Sequence, residues 1–228
     1  EISVRDWSSD VCSSDLTDQG PQPYDALVIA LGAALNPSKV PGFTDAVDAG
    51  IAGEFYTLDG AVRLHQQLSN VDAGRVAVVV AGVPFKCPAA PFEGAFLIAD
   101  LFRERGVGDQ VTVDTFTPDP LPMPVAGPDV GKALVALMER QQIGFHPGVA
   151  IEQVDVAGKQ LHFAGGTREP FDFLVVVPPH QPPPAAVTTG LGPNGWIPID
   201  PRTLATTAEG VWAIGDASVI MQIGRAHV

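Results

Sequence analysis

Residues 75–81 read Arg-Val-Ala-Val-Val-Val-Ala, a near-continuous apolar run dominated by β-branched side chains. A strand with one wet face alternates polar and apolar residues. A run without alternation is covered on both faces, as in a parallel sheet with helices packed above and below it. The run therefore predicts an α/β fold with a parallel core sheet. Gly82 ends it, and apolar residues then recur at helical spacing through Phe92, Ala95, Phe96, Ala99 and Phe102, with Pro91 at the helix start and Gly106 as its stop. Between strand and helix lies Val83-Pro-Phe-Lys-Cys-Pro-Ala-Ala90. In a doubly wound sheet such a turn faces a ligand, because ligands sit outside the carboxyl ends of the strands.

A second run of this kind, Tyr24-Asp-Ala-Leu-Val-Ile-Ala-Leu31, ends at Gly32, and Phe171-Asp-Phe-Leu-Val-Val-Val177 repeats its pattern of aromatic, Asp, any residue, Leu, then apolar. We read the two as an internal repeat, each closing one dinucleotide-binding-like unit. Between them the periodicity predicts a helix over 57–68, a strand over 110–116, a helix over 129–142, and short strands near 148–156 and 160–163 joined through Gly158-Lys159. Pro178-Pro179 and Pro182-Pro183-Pro184 predict a stiff, extended connector. Gly210-Val-Trp-Ala-Ile-Gly-Asp216 predicts a short buried strand.

The net charge of −13 and the lack of a Lys/Arg cluster argue against a nucleic-acid partner. No apolar run approaches the roughly 18 residues of a membrane span. His65, His146, His162 and His180 are scattered without ligand spacing, so no metal site is expected. The two ends are unusual. Asp10-Val-Cys-Ser-Ser-Asp15 can be encoded by GAC GTG TGC TCT TCC GAT, whose reverse complement encodes Ile223-Gly-Arg-Ala-His-Val228. The string resembles a short-read sequencing adaptor, so 1–16 and 223–228 are expected to be adaptor read-through and are set apart from the fold. Cys12 goes with them. Cys87 then stands alone, and no internal disulfide is implied.

Several side chains can carry chemistry. Cys87 precedes a helix N-terminus and follows Lys86, and both favour a thiolate nucleophile; the alternative is a small packing residue. Glu93, in the first helical turn, is a proton acceptor or, slightly favoured, a partner of the helix dipole. Asp216 after Gly215 can accept hydrogen bonds from ligand hydroxyls where the backbone approaches closely, or it can cap a following helix. His180 lies near the ligand or on a surface loop.

Tyr24 to Gly32 with Val40-Pro-Gly42, and Gly210 to Asp216, resemble two signatures of the FAD-dependent pyridine-nucleotide-disulfide oxidoreductase superfamily. Pro84-Phe-Lys-Cys-Pro-Ala-Ala-Pro-Phe-Glu93 and Gly195-Trp-Ile-Pro-Ile-Asp200 are similar to its sulfide:quinone oxidoreductase and flavocytochrome c sulfide dehydrogenase branch. The resemblance implies two Rossmann-type units with parallel sheets, the FAD domain being incomplete: 17–40 would end its first segment, 41–182 would be a degenerate NAD-like domain, and 183–222 would return to it. It implies electron transfer from a sulfur substrate through FAD to a quinone or cytochrome, with Cys87 carrying sulfur beside the flavin, Glu93 near the acceptor side, and Gly32, Gly215, Asp216 and Ala217 around the FAD. It also implies a bacterial or archaeal source and a cytoplasmic or peripheral membrane location, any membrane contact coming from outside this chain. The segment alone is expected not to turn over. One departure matters. A G-x-G-x-x-G fingerprint after the Arg75 run would need glycines where Pro84 and Cys87 stand, which argues against tight NAD(P) binding and against the alternative of an NADH:quinone reductase. A non-catalytic flavin-binding module is the other alternative.

Overall fold

The computed structural model describes residues 13–17 and 20–220. Two compact units divide the chain, one formed by Leu35–His180 and the other by the segments on either side of it. Residues 1–12 and 223–228 lie outside the described residues, whereas Ser13–Thr17 pair antiparallel with Gly20–Tyr24.

The Leu35–His180 unit is built on a five-stranded sheet ordered Ala52–Gly53, Phe173–Val177, Gly74–Val80, Val111–Thr117, Ile143–Pro147. Every neighbouring pair runs parallel. The apolar runs fill its centre in register, from Phe173 beside Val76 to Val177 beside Val80. Val76 to Val80 and Phe173 to Val177 are all buried, because one face packs on the helices Leu58–Leu68, Ala90–Glu104 and Pro128–Arg140, and the other on a second layer. That layer is a three-stranded antiparallel sheet of Ile151–Asp155, Gln160–Phe163 and Arg168–Pro170 with the short helix Phe43–Asp48. Gly42, with φ of 80°, enters that helix so close to the Val154 carbonyl that no Cβ fits.

An ionic cluster joins the two sheets at the face they share. The Arg75 guanidinium reaches Asp114 and Glu169, each at 2.6 Å, and lies 5.4 Å from the centre of the Phe116 ring. Asp114 also meets His146 Nε2 at 2.8 Å, in a space left open because Gly144 has no side chain. Burial works against the Asp114 charge, but the hydrogen bonds and charges of His146 and Arg75 outweigh it and hold the carboxyl below its ordinary range.

In the other unit the strand Leu27–Ile29 pairs parallel with Val211–Ala213, and Ile197–Ile199 pairs parallel with Ser218–Ile220. Ile29, Ala186, Ile197, Ile199, Val211 and Ala213 form its core. Two expectations change here. The 24–31 run shortens to Leu27–Ile29, and Val28 is 56% exposed, because the core covers only the Ile29 side. The proline-rich segment is not a plain connector: His180–Gln181 pair as a short strand, and Pro184 starts the helix Pro184–Thr188, where its fixed φ suits the first turn.

Candidate functional site: the Cys87 loop and the glycine turn

Cys87 lies in the turn between the Gly74–Val80 strand and the Ala90–Glu104 helix. The turn has little room beneath it, since a Cβ on Gly82 would sit 3.1 Å from Pro179. Cys87 is exposed. Its backbone is left-handed, with φ of 58°. For a residue with a Cβ that conformation costs about 1–2 kcal/mol and persists only where the surroundings hold it. On one side the Ala90 N–H donates to the Cys87 carbonyl at 3.0 Å. On the other the Tyr56 hydroxyl donates to the Lys86 carbonyl, also at 3.0 Å.

Tyr56 is itself fixed by a compact turn. The Glu54 carboxylate accepts the N–H groups of Tyr56 at 2.5 Å and Thr57 at 3.0 Å, and takes a hydrogen bond from the Thr57 hydroxyl. That hydroxyl in turn accepts from the Gly60 N–H and caps the Leu58–Leu68 helix. Phe55 stacks on Tyr56 with ring centres 5.3 Å apart, and lies against Gly94, where a Cβ would come within 2.9 Å of the ring. The Tyr56 ring meets His180 edge-on at 5.4 Å and carries the Lys86 ammonium 5.7 Å from its centre. His180 Nδ1 lies 3.0 Å from the Pro178 carbonyl. Burial first, and the nearby Cys87 sulfur second, push the Tyr56 phenol above its ordinary pKa, so it remains a proton donor.

Glu93 stands in the first turn of the Ala90–Glu104 helix, where a carboxylate favours the helix dipole. It opens onto an apolar groove of about 490 Å³ between that helix and Leu58–Leu68, with Phe55, Leu64 and Leu97 among the lining residues. Cys87 does not line this groove.

The glycine turn belongs to the other unit. Ile214 N–H donates to the Ile29 carbonyl at 2.9 Å, extending the Leu27–Ile29 and Val211–Ala213 pairing toward Gly32 and Gly215. Both glycines are left-handed, with φ of 67° and 69°, and a Cβ on either would meet nothing within 4 Å. Asp216 is exposed within a single turn, Gly215–Ala217, that leads into the strand Ser218–Ile220 rather than into a helix, so it does not cap one. Ala217 is buried, and the Ser218 hydroxyl donates to the Gly215 carbonyl at 2.7 Å.

The sequence pattern of the pyridine nucleotide-disulphide oxidoreductases matches residues 3–228. The chain belongs to that family of FAD-dependent oxidoreductases. Among curated relatives, the mitochondrial sulfide:quinone oxidoreductase of Schizosaccharomyces pombe is 25% identical over 210 residues, covering 86% of this chain and 44% of the relative. The alternative NAD(P)H-ubiquinone oxidoreductase C1 of Arabidopsis thaliana is 33% identical over 96 residues, 40% of this chain and 17% of the relative. Among solved structures, the sulfide:quinone oxidoreductase of Aquifex aeolicus superposes with a TM-score of 0.74 at 18% identity, over 91% of this chain and 49% of that one. The chain thus spans less than half the length of these curated relatives and about half that of the solved structure. Among the described residues no helix is long and apolar enough to cross a membrane.

Tyr56 escaped sequence reasoning altogether. Its signal was the aromatic pair Phe55-Tyr56 between Glu54 and the capping Thr57, a turn that fixes both rings before the helix begins.

Proposed function

We propose that this chain is part of an FAD-dependent enzyme that oxidises a sulfur substrate at Cys87 and delivers the electrons to a quinone or cytochrome. The observation that carries this reading is the exposed cysteine held in a left-handed backbone at the ligand-facing turn of a parallel sheet. The likeness to two sulfide:quinone oxidoreductases supports the choice of substrate class. We read the Leu35–His180 unit as a nucleotide-type domain that has exchanged a phosphate-gripping turn for a thiol. The flanking segments we read as part of the FAD domain.

The residues fit such a group. Gly32 and Gly215 leave bare backbone and open space where side chains would otherwise stand. They would let the cofactor approach the strand ends, and the exposed Asp216 carboxylate would accept hydrogen bonds from its hydroxyls. FAD, when bound, supplies an acceptor for two electrons. The chain's own part is to present sulfur. Joining a hydrosulfide ion to the Cys87 thiol forms one S–S bond, breaks two S–H bonds, and releases two protons and two electrons. Tyr56 stays protonated and gives its one hydroxyl proton to the Lys86 carbonyl that precedes Cys87. Glu93 has the first-turn position of a dipole partner, and its place on the groove rather than beside Cys87 favours that role over proton transfer.

A second reading, an NAD(P)H-oxidising quinone reductase, draws on the Arabidopsis relative. Anaerobic titration of the full-length protein separates the two. Flavin bleaching by sulfide, lost in Cys87→Ser, supports the first, whereas bleaching by NADH and not by sulfide overturns it.

A further inference from the structure

We propose that Tyr56 is a positioning residue for Cys87, its hydroxyl fixing the peptide plane that precedes the cysteine and so deciding where the sulfur points. The inference rests on Cys87 as the sulfur carrier. The backbone at Cys87 is set by two peptide planes. The one after it is held within the loop by the Ala90 N–H on the Cys87 carbonyl. The one before it contains the Lys86 carbonyl, which receives the Tyr56 hydroxyl from a segment 30 residues away in sequence. Rotation of that plane is rotation about φ of Cys87. Releasing it lets the residue leave the left-handed region, which side-chain-bearing residues disfavour. The holder is rigid, because Tyr56 is gripped by the Glu54 turn, by Phe55 stacked on its ring and by the edge contact with His180.

The clamp comes from outside the strand, loop and helix that carry the thiol. Loss of the Tyr56 hydroxyl would therefore tune Cys87 without disturbing the sheet.

The test uses the full-length, FAD-loaded protein with Tyr56→Phe, which keeps the ring and removes only the hydroxyl. Thr57→Val, which disturbs the same turn but leaves the hydroxyl, is the control. Amide hydrogen exchange over residues 86–92 is expected to speed up about tenfold in Tyr56→Phe and not in Thr57→Val, because a local opening is made easier. The limiting rate of flavin reduction by sulfide should fall about tenfold, since a misplaced reacting atom loses orientation, while the half-saturating sulfide concentration stays within about twofold. Alkylation by iodoacetamide, a small reagent meeting an already exposed thiol, should also stay within about twofold. Unchanged exchange or an unchanged limiting rate in Tyr56→Phe overturns the positioning role and leaves the Cys87 reading standing. Full sulfide-driven reduction in Cys87→Ser overturns that reading instead, and the exchange measurement still reports on the clamp.

Discussion

The Cys87 loop and the Gly32/Gly215 turn lie beyond the ends of comparable parallel strands in the two units, and they use that position in opposite ways. At the first, side chains fill the space: Pro84, Lys86 and Cys87 occupy the turn, and Gly82 is the concession that lets Pro179 come close. At the second, both glycines face open space and the nearest carboxylate is exposed. The strand framework in each unit is held by apolar burial along the strands themselves. Bare backbone suits a ligand that must lie against the chain, whereas a turn filled with a strained cysteine suits bond-making.

Breaking this contrast should cost most at the thiol. In the full-length protein, Cys87→Ser is expected to slow sulfide-driven flavin reduction at least about 100-fold, or about 2.7 kcal/mol of barrier, with FAD content unchanged, as stopped-flow absorbance would show. Next comes the sheet that carries the loop. Asp114→Asn removes charge-assisted hydrogen bonds to Arg75 and His146, and urea unfolding should register a loss of about 2 kcal/mol at neutral pH. Because the folded carboxyl is held below its ordinary value, the wild-type contribution is present above the unfolded aspartate pKa of about 3.9. It is lost as pH falls through the lower, folded value. The wild-type protein should therefore lose more stability than Asp114→Asn between neutral pH and pH 3, and parallel curves would count against the cluster. On the bare side, Gly215→Val places a side chain where nothing stands and should weaken FAD binding about tenfold by fluorescence titration, while Cys87 alkylation is unaffected. The smallest effect belongs to Gly82→Ala, whose new methyl group meets Pro179 and should lower stability by about 1 kcal/mol in the same urea assay.

Much of this contrast could be read from residues alone, for reasons that differ by position. The Arg75 run was legible because both faces are buried and no alternation interrupts it. The fingerprint substitutions at Pro84 and Cys87 were legible because a glycine requirement is local. The 24–31 run misled because composition cannot distinguish two covered faces from one; Leu31, counted as buried, is 49% exposed. The segment 182–184 misled because a proline that stiffens an extended chain equally well opens a helix, as Pro184 does. The turn around Tyr56 left a local signal in Glu54 to Thr57, but its role was hidden because that role is created by a contact with Lys86 that only the folded sheet produces. The ionic cluster was likewise hidden, its members Arg75, Asp114, His146 and Glu169 being spread over four strands.

The strand order carries a consequence for how the chain is made. Phe173–Val177 sits between Ala52–Gly53 and Gly74–Val80, so the middle of the sheet is completed by the strand that leaves the ribosome last of the five. Until then Val76 to Val80 present an apolar edge with unpaired backbone groups on one side. Closure requires a contact across roughly a hundred residues, and such long-range pairing is slow. During synthesis Tyr56 and Cys87 can meet early, but the strand beside the one that delivers the thiol is still missing. The nascent unit is most prone to aggregate in that interval, and a chain cut short of residue 173 would remain in it.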